Sequence, residues 1–272
     1  MTTMLRQPVV AGQFYTADPT ALRQEVETYL QRGTRSTAKT LLAMAPHAGY
    51  MYSGNVAGRT LGSARLADTI YLLGPNHTGR GALVSVWDND GWQTPLGVVP
   101  IAEEARAGLL AHTDIFSPDS LAHIGEHSLE VLLPFIQLAQ PTAKIVPVAV
   151  ATRSQHTLTA VGTLIGEAIA NTPDSCIVVS SDMSHFISAD AAKRLDSMAL
   201  AHVTGIDADG LFNTVAQHDI SMCGVLPMTC GLAACELLGG TNARIIEYTT
   251  SGDVTGDTSQ VVGYAGAIID KP

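Results

Sequence analysis

The hydrophobic pattern changes period along the chain, and the changes mark out its elements. Leu22, Val26, Tyr29 and Leu30 recur at helical spacing, after Asp18, which can cap, and Pro19, which suits the first helical position; Gly33 stops the run. A linker over residues 34–38 follows. Beyond it, apolar runs too short for helices alternate with helical stretches: LLAMA from Leu41, a helix near residues 55–64, then TIYLL from residue 69. That alternation predicts βαβ units and a parallel sheet. Residues 82–100 interrupt it with two strand-like pieces around Gly91 and Pro95, read as a loop or hairpin insertion. Residues 127–140 then predict a helix with Leu129, Leu132, Leu133 and Ile136 on one side, kinked or cut short by Pro134. KIVPVAV reads as a strand, residues 156–170 as a helix and CIVVS from Cys176 as a strand. Helices over 189–203 and 207–217 and an apolar segment over 227–238 come next. ARIIEYTT and QVVGYAGAII close the chain as paired strands joined by the turn SGDVTGD. With no internal repeat or linker between domains, residues 1–272 read as one α/β domain.

Composition narrows the class. Hydrophobic residues make up 46% and charged residues 15%, enough to build a large core. Fifteen Lys and Arg against 25 Asp and Glu give a net charge of -10, which repels phosphates and anionic lipid headgroups, so neither nucleic acid nor membrane is expected as a partner. Cys176, Cys223, Cys230 and Cys235 form no C-x-x-C pair or secreted-type framework. With no signal-peptide pattern at the N-terminus, this predicts a cytoplasmic protein. Residues 221–240 approach membrane length, but Gly224, Pro227, Gly231 and Glu236 interrupt them, and they read as buried core.

The candidate chemistry lies where strands end. LLAMA runs into His47, TIYLL into His77, and CIVVS into Asp182 and His185. In an open parallel sheet the carboxyl ends share one edge, where α/β proteins place their ligand crevice. Imidazoles converging there suit metal ligation or proton transfer. Asp182 can bind metal, orient an imidazole or cap the following turn. A second cluster holds His123, Glu126 and His127. Its two histidines are spaced to share a helix face, but the order is not H-E-x-x-H, and Glu126 serves equally well as a helix cap or a site residue. Cys223, in an apolar context, reads as core filler or as a ligand; the other three cysteines read as core. His112, His156, His202 and His218 read as solvated helix residues. No G-x-S-x-G, Walker A or G-x-G-x-x-G string occurs, although Ser180, Ser181 and Ser184 beside His185 keep a serine-hydrolase reading open.

The strings PVVAGQFYTADP, APHAGYMYSGNVAG, LLGPNHTG, EHSLEVLLPF, VVSSDMSH, CG-x-x-P and YTTSGDVTGD, in this order, resemble the Memo-like family along the whole chain. Its prokaryotic members are known as the B component of the AmmeMemoRadiSam system. The resemblance implies a three-layer α/β/α sandwich with a mainly parallel central sheet, like that of the class III extradiol dioxygenases, which use non-haem iron. It implies His47, His77 and Cys223 as ligands of one transition metal, iron or copper with zinc as an alternative, and Asp182 and His185 as catalytic residues in the same pocket. His185 would match the extradiol acid/base histidine. A thiolate in place of the extradiol carboxylate is a softer ligand, so efficient catechol ring cleavage is not expected. The function expected is redox-related chemistry on a small molecule or oxygen by a metal-dependent oxidoreductase, with a radical-SAM protein as a possible partner. The alternatives are a non-catalytic scaffold that takes a peptide in the same crevice, and a metal-dependent or serine-type hydrolase.

Overall fold

Four apolar runs lie side by side as parallel strands, in the order Thr40–Ala45, Ser175–Ser180, Thr69–Pro75 and Lys144–Val150. The computed structural model describes residues 4–272 and builds them into a nine-stranded sheet whose margins are antiparallel. On one side Val261–Asp270 pairs with Thr40–Ala45, and both Thr241–Thr250 and His185–Ile187 pair with Val261–Asp270. On the other, Val84–Val86 runs antiparallel to Lys144–Val150 and carries Ser117–Pro118.

Strands read as continuous apolar runs because both faces are covered. Leu42, Met44, Tyr71, Leu73, Val146, Val148, Ile177 and Val179 share a core with residues of the helices Gln155–Asn171, Ala189–Gly205, Ala208–Gln217 and Val225–Leu238. The interleaved Ala43, Ala45, Ile70, Leu72, Ile145, Cys176 and Val178 share one with the helices Pro19–Leu30, Tyr50–Ser63 and Leu133–Ala139. Each strand therefore feeds two cores with alternate residues, and the result is an α/β/α sandwich. Asp18 caps the first helix by accepting from the Ala21 amide at 2.8 Å. That helix lies close on Tyr50–Ser63 because Gly58 and Gly62 face it, where a Cβ would run into Tyr29 and the Leu30 carbonyl.

Three segments depart from the pattern-based reading. Within 82–100, Val84–Val86 joins the main sheet, while Gly91–Thr94 and Gly97–Pro100 form a hairpin that pairs with Leu5–Arg6 in a separate three-stranded sheet. The helix expected over 127–140 starts late, as a 3-10 turn, Glu130–Leu132, followed by Leu133–Ala139. Pro134 falls in the first turn of that helix, where its missing N–H costs nothing. The turn at 251–257 contains a short helix, Gly252–Thr255, closed by Gly256 at φ 78°. Among the described residues no helix is long and apolar enough to cross a membrane.

Candidate metal centre

His47, His77 and the residues 180–185 leave the carboxyl ends of three adjacent strands, so the sheet order alone brings them to one edge. They open on a cavity of about 860 Å3, whose wall also includes Phe14, Tyr52 and Tyr264. His47, His77 and His127 each offer a ring nitrogen within 4.8 Å of the others. The His77 and His127 rings stack at 5.0 Å between centroids, and His47 stands edge-on to both, at 5.3 and 5.5 Å.

Buried partners aim two of these rings. Ser180 Oγ donates to the Ser128 carbonyl at 2.6 Å, so it accepts at 2.7 Å from His47 Nδ1–H. That fixes the tautomer and makes Nε2 of His47 the acceptor nitrogen, facing Cys223 Sγ. His77 Nδ1 donates to Glu126 Oε1 at 2.9 Å, and the His77 amide donates to Glu126 Oε2. A carboxylate behind a histidine is the arrangement that orients metal-binding imidazoles and raises their basicity. Glu126 has no solvent exposure, and it also accepts from the Ser128 amide at 2.9 Å. It is thus a site residue that also closes the local turn at Ser128, and not the helix cap: the 3-10 turn Glu130–Leu132 begins later and no side chain caps it.

Protonation follows from these contacts. Burial pushes the His47 imidazole down to about 4, against an opposing pull from Asp182. Burial also lowers His127. For His77 burial acts downward too, but the Glu126 hydrogen bond and charge, with Asp182, carry it above the ordinary value. Burial would raise Glu126, yet the His77 contacts and the Ser128 amide hold it at about 2. Burial and the Asp182 charge push the Cys223 thiol well up.

The residues expected from sequence are distributed as follows. Cys223 Sγ stands 3.4 Å from His47 Nε2 and accepts from the Asp182 amide at 3.2 Å, but it does not join His47 and His77 within the span that His127 meets. Asp182 is buried; its Oδ1 accepts from the His47 amide at 2.8 Å and its Oδ2 lies 3.9 Å from His47 Nε2. His185 lines the cavity, with Nδ1 donating to the Ser221 carbonyl at 2.9 Å and Nε2 left open. The next residue, Phe186, is exposed and adopts φ 57°, a strained conformation for a bulky side chain. His123 and His127 do not share a helix face: the short helix Leu121–Ile124 ends at Gly125, and His123 is buried against Trp87 and Trp92 instead. The hydroxyls of Ser180, Ser181 and Ser184 are buried and donate to the Ser128 carbonyl, the Asp182 carbonyl and Asp196 respectively, so none is a free nucleophile. His127 follows no strand, so strand ends do not mark it as a ligand, and its place beside Glu126 is the one signal the sequence offers.

A mainly parallel α/β/α sandwich with a histidine cluster at the carboxyl edge of its sheet defines the class of this protein. Residues 6–268 match the model of the Memo-like protein family. The chain is 38% identical to a MEMO1 family protein of Aquifex aeolicus, over 97% of this chain and 98% of that one. It is also 38% identical to one of Methanothermobacter thermautotrophicus, over 96% and 99%. It therefore belongs to the Memo-like family. A crystal structure of an uncharacterized protein from Escherichia coli K12 shares the fold, with a TM-score of 0.53 at 14% identity, over 84% of this chain and 99% of that one.

Proposed function

We propose that the chain holds one transition-metal ion at His47, His77 and His127, with Cys223 beside His47 as a further donor, and uses it on a small molecule in the adjoining cavity. The observation that carries this reading is the convergence of three imidazole nitrogens within 4.8 Å of one another. Neutral imidazoles with a nearby sulfur suit zinc, copper or iron rather than magnesium or calcium. When bound, such an ion supplies Lewis acidity, and iron or copper also supplies electron transfer. The protein's own part is positional. Glu126 and Ser180 hold the two rings, and Asp182 fixes the backbone that carries His47. His185, held by Ser221, presents Nε2 to take or give a proton at the cavity wall.

A binding-only reading is favoured by Met51, which lies on the cavity wall and is 66% exposed, an apolar surface that a peptide could cover. Elemental analysis after anaerobic, chelator-free purification tests the first reading. Near-stoichiometric metal is expected in the wild type, with strong loss in His47→Ala, His77→Ala and His127→Ala. Equal, negligible metal in all four proteins overturns it. Metal-dependent oxygen consumption with a panel of catechols and thiols then separates an enzyme from a scaffold, since a scaffold binds without turnover.

A further inference from the structure

We propose that a basic pocket at the amino edge of the sheet binds the phosphate group of a small molecule, independently of any metal at the histidines. Arg35, Lys39, Arg65 and Lys271, four of the chain's 15 lysines and arginines, line this pocket of about 240 Å3, and Asp174 is the one acidic side chain on its wall. On a chain of net charge -10 such a cluster runs against the overall field. Backbone pairing builds it. The Lys271 amide donates to the Lys39 carbonyl at 2.8 Å, the Thr40 amide to the Arg65 carbonyl at 3.1 Å, and the Arg65 amide to Thr40 Oγ1 at 2.9 Å. Thr40 opens the strand Thr40–Ala45, whose far end runs into His47, so about 20 Å of strand separates the pocket from the histidines.

These cations lack counter-charge. The exposed Arg35 side chain has neither a hydrogen bond nor an ion pair among the described residues. Arg65 donates to the Thr37 carbonyl at 2.8 Å and Lys271 Nζ to the Pro173 carbonyl at 2.6 Å, both neutral acceptors. Asp174 alone answers them, 4.0 Å from Lys39 Nζ, with both side chains more than half exposed. Asp68, whose amide donates to Asp174, does not line the pocket, and its carboxylate is engaged by Gln140 and Thr142. Burial, with the charge of Lys39, holds the Lys271 amine below its ordinary value, a repulsion that an anion between the two would relieve. Two guanidinium forks match the oxygens of a phosphate group, and the two ammonium groups add point charges. Screening at 0.1 M salt acts over about 10 Å, so a small anion in the pocket responds to these cations rather than to the acids spread over the remaining surface. A nucleic acid would meet both.

Calorimetric titration of the metal-free protein with inorganic phosphate, pyrophosphate, glycerol phosphate, sulfate and chloride is the test. The three phosphate probes should bind more tightly than sulfate, and chloride weakest of all. Arg35→Gln and Arg65→Gln should each weaken pyrophosphate about fivefold. Arg153→Gln removes the same charge from an exposed residue outside the pocket and should leave the affinity unchanged. Tightest binding of pyrophosphate marks a polyphosphate ligand and of glycerol phosphate a phosphate ester; either upholds the site. Equal, weak binding of all five probes means an adventitious ion only and overturns the proposal, as does the absence of any binding. A loss in Arg153→Gln as large as that in Arg35→Gln would trace the effect to overall charge. A loss in His77→Ala with Arg35→Gln unaffected would move the anion to the histidines, and either result also overturns it.

Discussion

Replacing Glu130 with Gln should cost about 3–5 kcal/mol of stability, because it breaks a buried ion pair from one side. Arg6 and Glu130 meet at 2.7 Å with side chains 1% and 0% exposed. Glu130 also accepts from the amides of Val9 and Val10, at 2.8 and 3.0 Å, and from the Tyr15 hydroxyl at 2.8 Å. The Arg6 guanidinium lies over Trp92, 4.2 Å from the ring centroid, and donates to the carbonyls of His123 and Glu126. A glutamine keeps the shape but turns one acceptor into a donor that faces either Arg6 and Val9 or Val10 and Tyr15, and it leaves the guanidinium buried without a counter-charge. Tyr15→Phe removes one neutral donor to the same carboxylate and should cost about 1 kcal/mol. Urea denaturation of the metal-free proteins reads both. A loss in Glu130→Gln below 1 kcal/mol, or no greater than that of Tyr15→Phe, would show that the pair is not the anchor of the N-terminal segment. Since residues 12–17 line the cavity, the same variant should also weaken ligand binding.

His123 should make the metal-free protein acid-sensitive. Burial puts its imidazole at about 4 in the folded state against an ordinary 6.5, so the unfolded chain takes up the proton first. Its contribution is complete above pH 6.5 and is lost as pH falls towards 4, a span worth roughly 3 kcal/mol that His123→Phe should remove from the pH dependence measured by urea titration. Glu126→Gln should lower metal affinity about 10–100-fold without removing a ligand, as read by competition with a chelating dye. Cys223 can be assigned by counting protons: because its thiol is held well above its ordinary value, its ligation at pH 8 should release about one proton per ion beyond whatever His77, itself raised, gives up. Cys223→Ser lowers the release by about one proton per ion if the thiol binds, and a release unchanged by the substitution rules it out as the source.

Much of the site is legible in the sequence, because strand ends are marked by where apolar runs stop. His47, His77, Asp182 and His185 all fall on the expected edge. What the pattern could not show is lateral order: Ser175–Ser180 inserts between Thr40–Ala45 and Thr69–Pro75, and no periodicity encodes which strand lies next to which. His127 was illegible for a related reason. Its neighbours Leu129, Leu132 and Leu133 suggested a helix, whereas Pro134 confines the α-helix to later residues and leaves His127 in the loop before the 3-10 turn. The spacing of His123 and His127 pointed to a shared face that Gly125 breaks. For Glu126 the cap reading falls with the helix it needed, since the 3-10 turn starts at Glu130 without a side-chain cap, and the carboxylate is spent on His77 and the Ser128 amide.

The segment 126–128 reaches all three histidines. Glu126 grips His77, His127 belongs to the segment itself, and the Ser128 carbonyl holds Ser180, which in turn holds His47. The contacts bridge 49 and 52 residues of sequence, fewer than separate the paired strands Thr40–Ala45 and Ser175–Ser180 on whose ends His47 and Ser180 stand. A chain with its strands paired but this segment undocked would have its histidines present and none of them aimed. An ion bound at the three rings would therefore tie this segment to the ends of two strands, as a latch between the loop and the sheet edge.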